Sequence, residues 1–275
     1  MKLIRVFPRR TKATPRDSNV YIGDPDLFVE ADQVDVSCTF TWDMPEAERL
    51  AEVWKHVAHV RLGGVAYGDV MGEFIPGKYL GDGYTITSRG CPNKCWFCYV
   101  WKRCNGQHEE LEIKDGWIVQ DDNLLACSEQ HIRNVFAMLK RQPEKPVFSG
   151  GLEANLLEDW HIDLLHDVRP KRMYFAYDTP EDYEPLVEAG KKLKRAKLLN
   201  HDSCCYVLIG YPNDTMEKAE ERLTDVLRLG FMPFGMLWKN ENGEVDNAWK
   251  KFQREWTRPA IIYSKEHEHR KQIAP

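Results

Sequence analysis

The sequence predicts an α/β protein whose strands form a mostly parallel sheet. Short runs rich in β-branched and aromatic residues alternate with segments of helical periodicity, and glycine or proline marks many of the joins. No internal repeat stands out. The chain has 275 residues, enough for one large domain or for one domain with a small companion. Its 43% hydrophobic and 29% charged residues are typical of a globular protein.

Residues 1–75 are predicted to form a small Rossmann-like α/β unit. Two strand-like runs are followed by a segment with apolar residues at helical spacing and by a third strand-like run. These elements are predicted at residues 3–7, 34–40, 45–58 and 60–62. The third strand runs into Gly63 and Gly64, and this strand–helix–strand–glycine order is typical of half a Rossmann fold.

Residues 76–240 are predicted to form an open, partial (β/α)6 TIM-like barrel. Six strand patterns with intervening helices are too few for a complete eight-unit barrel. The predicted strands are residues 84–88, 116–120, 146–149, 172–177, 205–210 and 231–237. The predicted helices between them are residues 128–141, 158–168, 180–196 and 215–229. Residues 241–275 are expected to add a helix at 247–256 and a charged tail.

Charge and hydropathy limit the classes of function. The chain has 38 basic and 43 acidic residues, and a net charge of −5 disfavours a protein whose main task is to bind a phosphate backbone. No apolar run approaches the ~20 residues of a membrane span, and the first twelve residues lack the apolar core of a signal peptide. We therefore expect a cytoplasmic protein without a membrane partner.

Three of the eight cysteines lie within eight residues, and this cluster is the most informative feature of the sequence. Cys91, Cys95 and Cys98 follow a β-branched strand in a glycine- and proline-containing loop with the spacing C-x3-C-x2-C. In a cytoplasmic chain, clustered cysteines bind metal or react more often than they form disulfides. Thiolates are the usual ligands of a [4Fe–4S] cluster, and three of them leave one iron available to a substrate.

A structural zinc site is the alternative for this cluster. Such sites usually have four ligands in paired C-x2-C knuckles, and this stretch has one knuckle without a matching second half. Cys104 or His108 would have to complete the site. Cys204 and Cys205 match no second-cluster motif and are interpreted as thiols without a metal.

The motif resembles the C-x3-C-x-aromatic-C signature of the radical S-adenosylmethionine (SAM) superfamily, with Phe97 at the aromatic position. The resemblance extends over roughly residues 84–237. It implies that the open iron binds the amino and carboxylate groups of SAM, and that an electron from the cluster then releases a 5′-deoxyadenosyl radical. This radical would abstract hydrogen from an unidentified substrate. The resemblance also implies that Phe97 and Tyr99 lie near the adenine, and that flavodoxin or ferredoxin donates the electron.

The resemblance further implies that SAM is bound at the ends of successive strands. Asp121, Asp122 and Asn123 follow the second predicted strand of the barrel and look like the strand ending of cobalamin-dependent radical SAM enzymes. This assigns the methionine amino group of SAM to Asp122, with its two neighbours adjacent. A helix cap or a turn is the alternative for these three residues.

Gly150, Gly151 and Glu153 follow the third predicted strand and compete for the same role. The two glycines would let the backbone pass close to SAM, and Glu153 would face the same cavity. If the strand count is one too high, Glu153 takes the role of Asp122.

Two later strand ends complete the implied SAM site. Asp178 suits a hydrogen bond to the ribose hydroxyls, or an N-cap for the helix that begins near residue 180. Gly210 ends an apolar strand that resembles the fifth strand of the family, where glycine allows the adenine to lie against the strand. An aromatic C-terminal stripe is interpreted mainly as core, with one or two of its rings around the substrate as the alternative; its members are Trp238, Trp249, Phe252 and Trp256.

The first unit resembles the cobalamin-binding half of cobalamin-dependent radical SAM enzymes in its position and in its order of elements. It is shorter, and it lacks the D-x-H-x-x-G stretch that some of them use to bind cobalt. Cobalamin is therefore an alternative cofactor that we do not predict. A cobalamin-dependent radical SAM methylase and a zinc-stabilised binding module are the alternative functions.

Overall fold

A computed structural model describes residues 2–69, 73–240, 243–258 and 260–264. The chain forms two compact units, Met1–Gly116 and Trp117–Pro275. Each unit contains a parallel sheet with helices, so the predicted α/β class is confirmed. Within the described part of the chain, no helix has the length and apolar character needed to cross a membrane.

Unit 1 contains a four-stranded parallel sheet in the order β2–β1–β3–β4. Its strands are β1 (Leu3–Phe7), β2 (Val20–Ile22), β3 (Gln33–Ser37) and β4 (His59–Gly63). Helix α1 (Met44–Trp54) connects β3 to β4 and buries one apolar stripe, which includes Leu50 and Trp54. The predicted strand–helix–strand order of this region is confirmed, while β2 was not predicted.

The connector after β4 is bonded to this sheet. Arg5, on the central strand β1, donates through Nη1 to the carbonyl oxygens of Gly77 at 2.9 Å and Lys78 at 2.8 Å. The Tyr79 hydroxyl donates to Asp35 Oδ2 on β3. The buried side chains of Arg5 and Asp35 therefore find hydrogen-bond partners in the connector. Residues 77–79 are for this reason part of the structure of unit 1.

The remainder of unit 1 carries short elements. The predicted strand at residues 84–88 is divided into β5 (Tyr84–Thr85) and β6 (Ser88–Gly90). Strand β6 pairs antiparallel with β7 (His108–Glu110), and the short helix α2 (Val100–Arg103) lies between them in the chain. The hairpin was not predicted, because neither strand has the β-branched and aromatic residues that indicate a strand.

Unit 2 is a regular alternation of strands and helices. Its parallel strands are neighbours in the order β12–β11–β10–β9–β8. They are β8 (Ile118–Val119), β9 (Val147–Phe148), β10 (Arg172–Ala176), β11 (Ser203–Ile209) and β12 (Met232–Leu237). The helices are α3 (Glu129–Leu139), α4 (Asp159–Val168), α5 (Tyr183–Arg195), α6 (Met216–Arg228) and α7 (Asn247–Glu255). The predicted order of elements over residues 116–256 is confirmed.

The two faces of the unit 2 sheet differ in character. Alternate residues such as Phe175 and Val207 are fully buried on one face. On the other face, the rings of Tyr174 and Tyr206 stack at 4.7 Å between centroids, and Phe234 meets Tyr206 edge-on at 5.8 Å. This aromatic row packs across three neighbouring strands, β10, β11 and β12.

Candidate functional site

The three motif cysteines lie in one loop of unit 1, between β6 and β7. Gly90 pairs with His108 at the base of this loop. Gly90 has a φ of 82°, and a Cβ atom added there would lie 1.9 Å from the carbonyl oxygen of Gln107. Because every other residue carries that atom, glycine is required where the chain enters the cysteine loop.

The cysteine loop is held by its own backbone. The Cys95 carbonyl oxygen accepts hydrogen bonds from the Cys98 N–H at 3.0 Å and from Trp101 Nε1 at 2.7 Å. Cys91, Cys95 and Cys98 are all half-buried. Residues 91–99 contain neither helix nor strand, so the three thiols are carried by an irregular segment of the chain.

The loop supplies three thiols, which are the ligand type of a [4Fe–4S] cluster and one fewer than the four cysteines that usually hold one. Among residues 2–69, 73–240, 243–258 and 260–264, no three His, Cys, Asp or Glu side chains approach closely enough to hold a metal ion.

Aromatic residues surround the second and third cysteines. Trp96 and Tyr99 are about half exposed, whereas Phe97 is half-buried and meets the Trp96 ring edge-on at 5.4 Å. The loop therefore presents flat apolar surface next to its thiols, which is the kind of surface on which a nucleobase can stack.

In unit 2, the two stretches that competed for the amino group of SAM meet at the ends of neighbouring strands. Asn123 follows β8, Glu153 follows β9, and Asn123 Nδ2 donates to Glu153 Oε2 at 2.6 Å. Asp121 and Asn123 are buried, while Asp122 and Glu153 are half-buried. Asn123 stands at the N-cap of a short 3-10 turn without using its side chain as the cap, so the predicted alternative of a simple cap does not describe it.

Gly150 permits this close approach. A Cβ atom at Gly150 would lie 1.8 Å from the carbonyl oxygen of Asp121, so the two backbones are in direct contact. Gly151 has a φ of 95° and has open space around it, the nearest atom being 3.8 Å away. Glycine is required at position 150 because a Cβ atom would overlap the backbone of Asp121. It is favoured at position 151 because of the positive φ.

Asp178 follows β10 and uses its side chain to extend the sheet. Its Oδ1 accepts the Leu208 N–H of β11 at 2.8 Å, beyond the last backbone pairing of the two strands. Burial raises the pKa of this carboxyl group to about 7, and the nearby charge of Asp182 acts in the same direction. The N-cap of the following helical turn is Thr179, so the capping alternative for Asp178 is wrong.

Gly210 follows β11, and a tryptophan packs against it. It has a φ of 73°, and its N–H donates to Asp214 Oδ2 at 2.9 Å. A Cβ atom there would lie 3.0 Å from both Leu237 Cδ1 and Trp249 Cδ2. The indole of Trp249, on α7, therefore lies against the glycine that the resemblance assigns to adenine.

A buried ion pair that was not predicted supports the end of β11. Arg222 Nη2 donates to Asp214 Oδ2 and to the carbonyl oxygen of Leu208, both at 2.9 Å. The Asp214 side chain is fully buried, and Arg222 is one-tenth exposed. A signal existed in the sequence, because Arg222 interrupts the apolar stripe of α6 that Ala219 and Leu223 continue.

A cleft of about 370 Å³ lies beside Gly210. Aromatic side chains from Tyr211, Trp238 and Trp249 line it, together with the acidic residues Glu244 and Asp246. None of the five was predicted as a SAM contact. Trp256 of the same C-terminal stripe is buried, as expected of a core residue, whereas Trp238 and Trp249 are only half-buried.

The sequence matches no protein-family model, and no curated protein matches it. Inference about function therefore depends on the chemistry of the motif and on the geometry of the strand ends.

Proposed function

We propose that this chain is a radical SAM enzyme in which Cys91, Cys95 and Cys98 hold a [4Fe–4S] cluster. The observation that carries the proposal is the C-x3-C-x2-C spacing on one irregular loop with three half-buried thiols. When bound, the cluster supplies the electron that cleaves SAM to methionine and a 5′-deoxyadenosyl radical, which abstracts hydrogen from the substrate.

The chain's own residues bind and orient SAM. Asp122 and Glu153 carry carboxylates that can accept the N–H groups of its amino nitrogen, and a hydrogen bond to a carboxylate is assisted by charge. Asn123 holds Glu153 in place through their 2.6 Å hydrogen bond. Gly150 lets the backbone of Asp121 approach, and Gly151, which has open space around it, leaves this edge of unit 2 without a side chain that would obstruct a ligand.

The proposal includes the finer architecture, an open partial (β/α)6 TIM-like barrel preceded by a small Rossmann-like unit. Five parallel strands with a helix in each connection support the first part. The strand order β2–β1–β3–β4, with the α1 crossover, supports the second. A cytoplasmic location and flavodoxin or ferredoxin as the electron donor belong to the same proposal.

The test is anaerobic purification followed by iron and sulfide analysis. We expect a brown protein with about four irons per chain, which forms 5′-deoxyadenosine when it is reduced in the presence of SAM. Cys95→Ala should lose both properties, whereas Cys104→Ala, in the same loop, should keep them. A colourless, iron-free wild-type protein that is correctly folded would contradict the proposal, and so would full SAM cleavage by Cys95→Ala.

A cobalamin-dependent radical SAM methylase is the second candidate. The four-stranded parallel sheet of unit 1 favours it, since ligands bind at the carboxyl ends of strands in open sheets of this kind. Incubation with hydroxocobalamin, followed by gel filtration and absorption spectroscopy, distinguishes it: retained corrinoid supports the methylase, and its absence supports hydrogen abstraction without cobalamin.

A further inference from the structure

The cleft beside Gly210 combines aromatic rings with negative charge. Tyr211, Trp238 and Trp249 supply the rings, and Glu244 and Asp246 supply the carboxylates. Among the described residues that line the cleft, none is Lys, Arg or His. An anionic ligand such as a phosphate or a carboxylate would find no partner of opposite charge there.

The segments that carry Trp238 and Trp249 are held in place by contacts within the chain. The Trp238 N–H donates to the carbonyl oxygen of Ile209 at 2.9 Å, which continues the β11–β12 pairing by one residue. Trp249 packs against Gly210 and meets Phe252 edge-on at 5.6 Å. The backbone of Trp238 is therefore fixed by the sheet and the indole of Trp249 by its packing on Gly210 and Phe252, which limits the ordering required on binding.

The carboxylates are held as well. The Asp246 side chain caps α7 by accepting the Ala248 N–H. Asn240 Nδ2 donates to Glu244 Oε2 at 2.9 Å, and the Glu244 N–H donates to Asn240 Oδ1 at 2.8 Å. Both acidic groups therefore stay beside the rings, where they raise the local attraction for a cation.

We propose that this cleft binds a cationic group, an ammonium or a guanidinium, of the molecule on which the chain acts. The faces of indole and phenol rings attract cations, and an aromatic cage with nearby carboxylates is a known way to recognise alkylammonium groups. One such contact between a cation and a ring already exists in the chain, because the guanidinium of Arg222 lies 5.3 Å from the centroid of the Tyr211 ring. Only the identification of the cation as part of the substrate rests on the proposed radical SAM function.

The test compares choline with its neutral isostere 3,3-dimethylbutan-1-ol on the full chain, purified anaerobically. Binding is followed by the shifts of the tryptophan indole N–H signals in 15N-labelled protein. Choline should bind at least about tenfold more tightly than the alcohol, because the shapes are the same and only the charge differs. Trp238→Leu and the double variant Glu244→Gln/Asp246→Asn should each weaken choline binding about three- to tenfold.

Control variants separate the loss of charge in the cleft from effects on folding and on the cysteine loop. Asn is as good a helix cap as Asp, so Asp246→Asn preserves α7. Glu184→Gln, an exposed charge on α5, should leave choline binding unchanged. Equal binding of choline and the alcohol overturns the inference, as does displacement of choline by lower concentrations of 5′-deoxyadenosine, which would give the cleft to the nucleoside. Cys95→Ala should bind choline as the wild type does, so a failure of cluster assembly is distinguishable from a failure of this site.

Discussion

Asn123 and Glu153 are joined by a hydrogen bond of 2.6 Å from Nδ2 to Oε2. They follow the neighbouring parallel strands β8 and β9, and each belongs to one of the two stretches that competed as the partner of the SAM amino group. The bond brings both stretches to the same edge of unit 2. In the proposed SAM site, Asn123 of one stretch would therefore orient Glu153 of the other.

The first prediction concerns this bond. Glu153→Gln should weaken SAM binding at least about tenfold, because it removes a carboxylate from the proposed site of the SAM amino group. Asn123→Ala should weaken it less, and the double variant should be less impaired than the sum of the two, since both act through one carboxylate. Equilibrium dialysis with labelled SAM measures the affinities. Glu144→Gln, which removes an exposed loop charge in the same unit, is the control. Wild-type affinity for SAM in Glu153→Gln would contradict the assignment of Glu153 to the SAM amino group.

The second prediction separates the two adjacent glycines. Gly150→Ala should lower the free energy of unfolding by more than about 3 kcal/mol or prevent folding, because its Cβ would overlap the carbonyl oxygen of Asp121. Gly151→Ala has open space and should cost only about 1–2 kcal/mol for its positive φ. Urea unfolding followed by circular dichroism ranks the two variants. Equal losses would mean that backbone contact is not what selects glycine at position 150.

The third prediction is a pH dependence set by Asp178. Its pKa is raised from 3.8 to about 7, so between these values the unfolded chain releases the proton while the folded chain keeps it. This carboxyl group therefore costs stability as the pH rises from about 4 to 7, by at most about 1.4 kcal/mol per pH unit. Asp178→Asn cannot release a proton, and its carbonyl oxygen can still accept the Leu208 N–H.

Urea unfolding of both proteins between pH 5 and 8 measures this effect. The free energy of unfolding of Asp178→Asn, relative to the wild type, should rise up to about pH 7 and level off above it. Other titrating groups are common to both proteins and cancel in the difference. Parallel curves for the two proteins would show that Asp178 is already ionised at pH 5.

The fourth prediction concerns the buried pair of Arg222 and Asp214. Arg222→Leu should destabilise the chain by about 3–5 kcal/mol, because it leaves a fully buried carboxylate without its cation. Adding Asp214→Asn should recover part of this loss. Arg228→Leu, on the same helix and half exposed, should cost less than about 1 kcal/mol. Thermal unfolding compares the three variants, and similar losses in Arg222→Leu and Arg228→Leu would refute the role given to the buried pair.

The order of helices and strands in unit 2 could be predicted because the signals are local. The apolar residues of α3 and α6 recur at helical spacing, and both helices begin within two residues of their predicted starts. Thr215 and Ser128 act as side-chain caps at these starts. Periodicity and capping residues are visible in a single stretch of sequence, so no knowledge of distant contacts was needed.

The contacts that build the strand ends could not be predicted in the same way. The bond between Asn123 and Glu153 spans thirty residues, and no local pattern indicates it. The side-chain role of Asp178 depends on β10 ending before β11, which follows from pairing and not from composition. The β6–β7 hairpin was missed because it pairs Gly90 with His108, which is distant in the sequence, and because neither strand has a β-branched or aromatic residue.

The backbone of Leu208 is bonded on both of its polar groups by side chains, its N–H by Asp178 and its carbonyl oxygen by Arg222. Strand β11 therefore extends past its neighbour β10 without needing a longer partner strand. Asp178 lies in the segment between β10 and α5, so a change in the length of that segment would displace the carboxylate that supports the tip. In related chains we expect the carboxylate of Asp178 and the guanidinium of Arg222 to be kept or lost together.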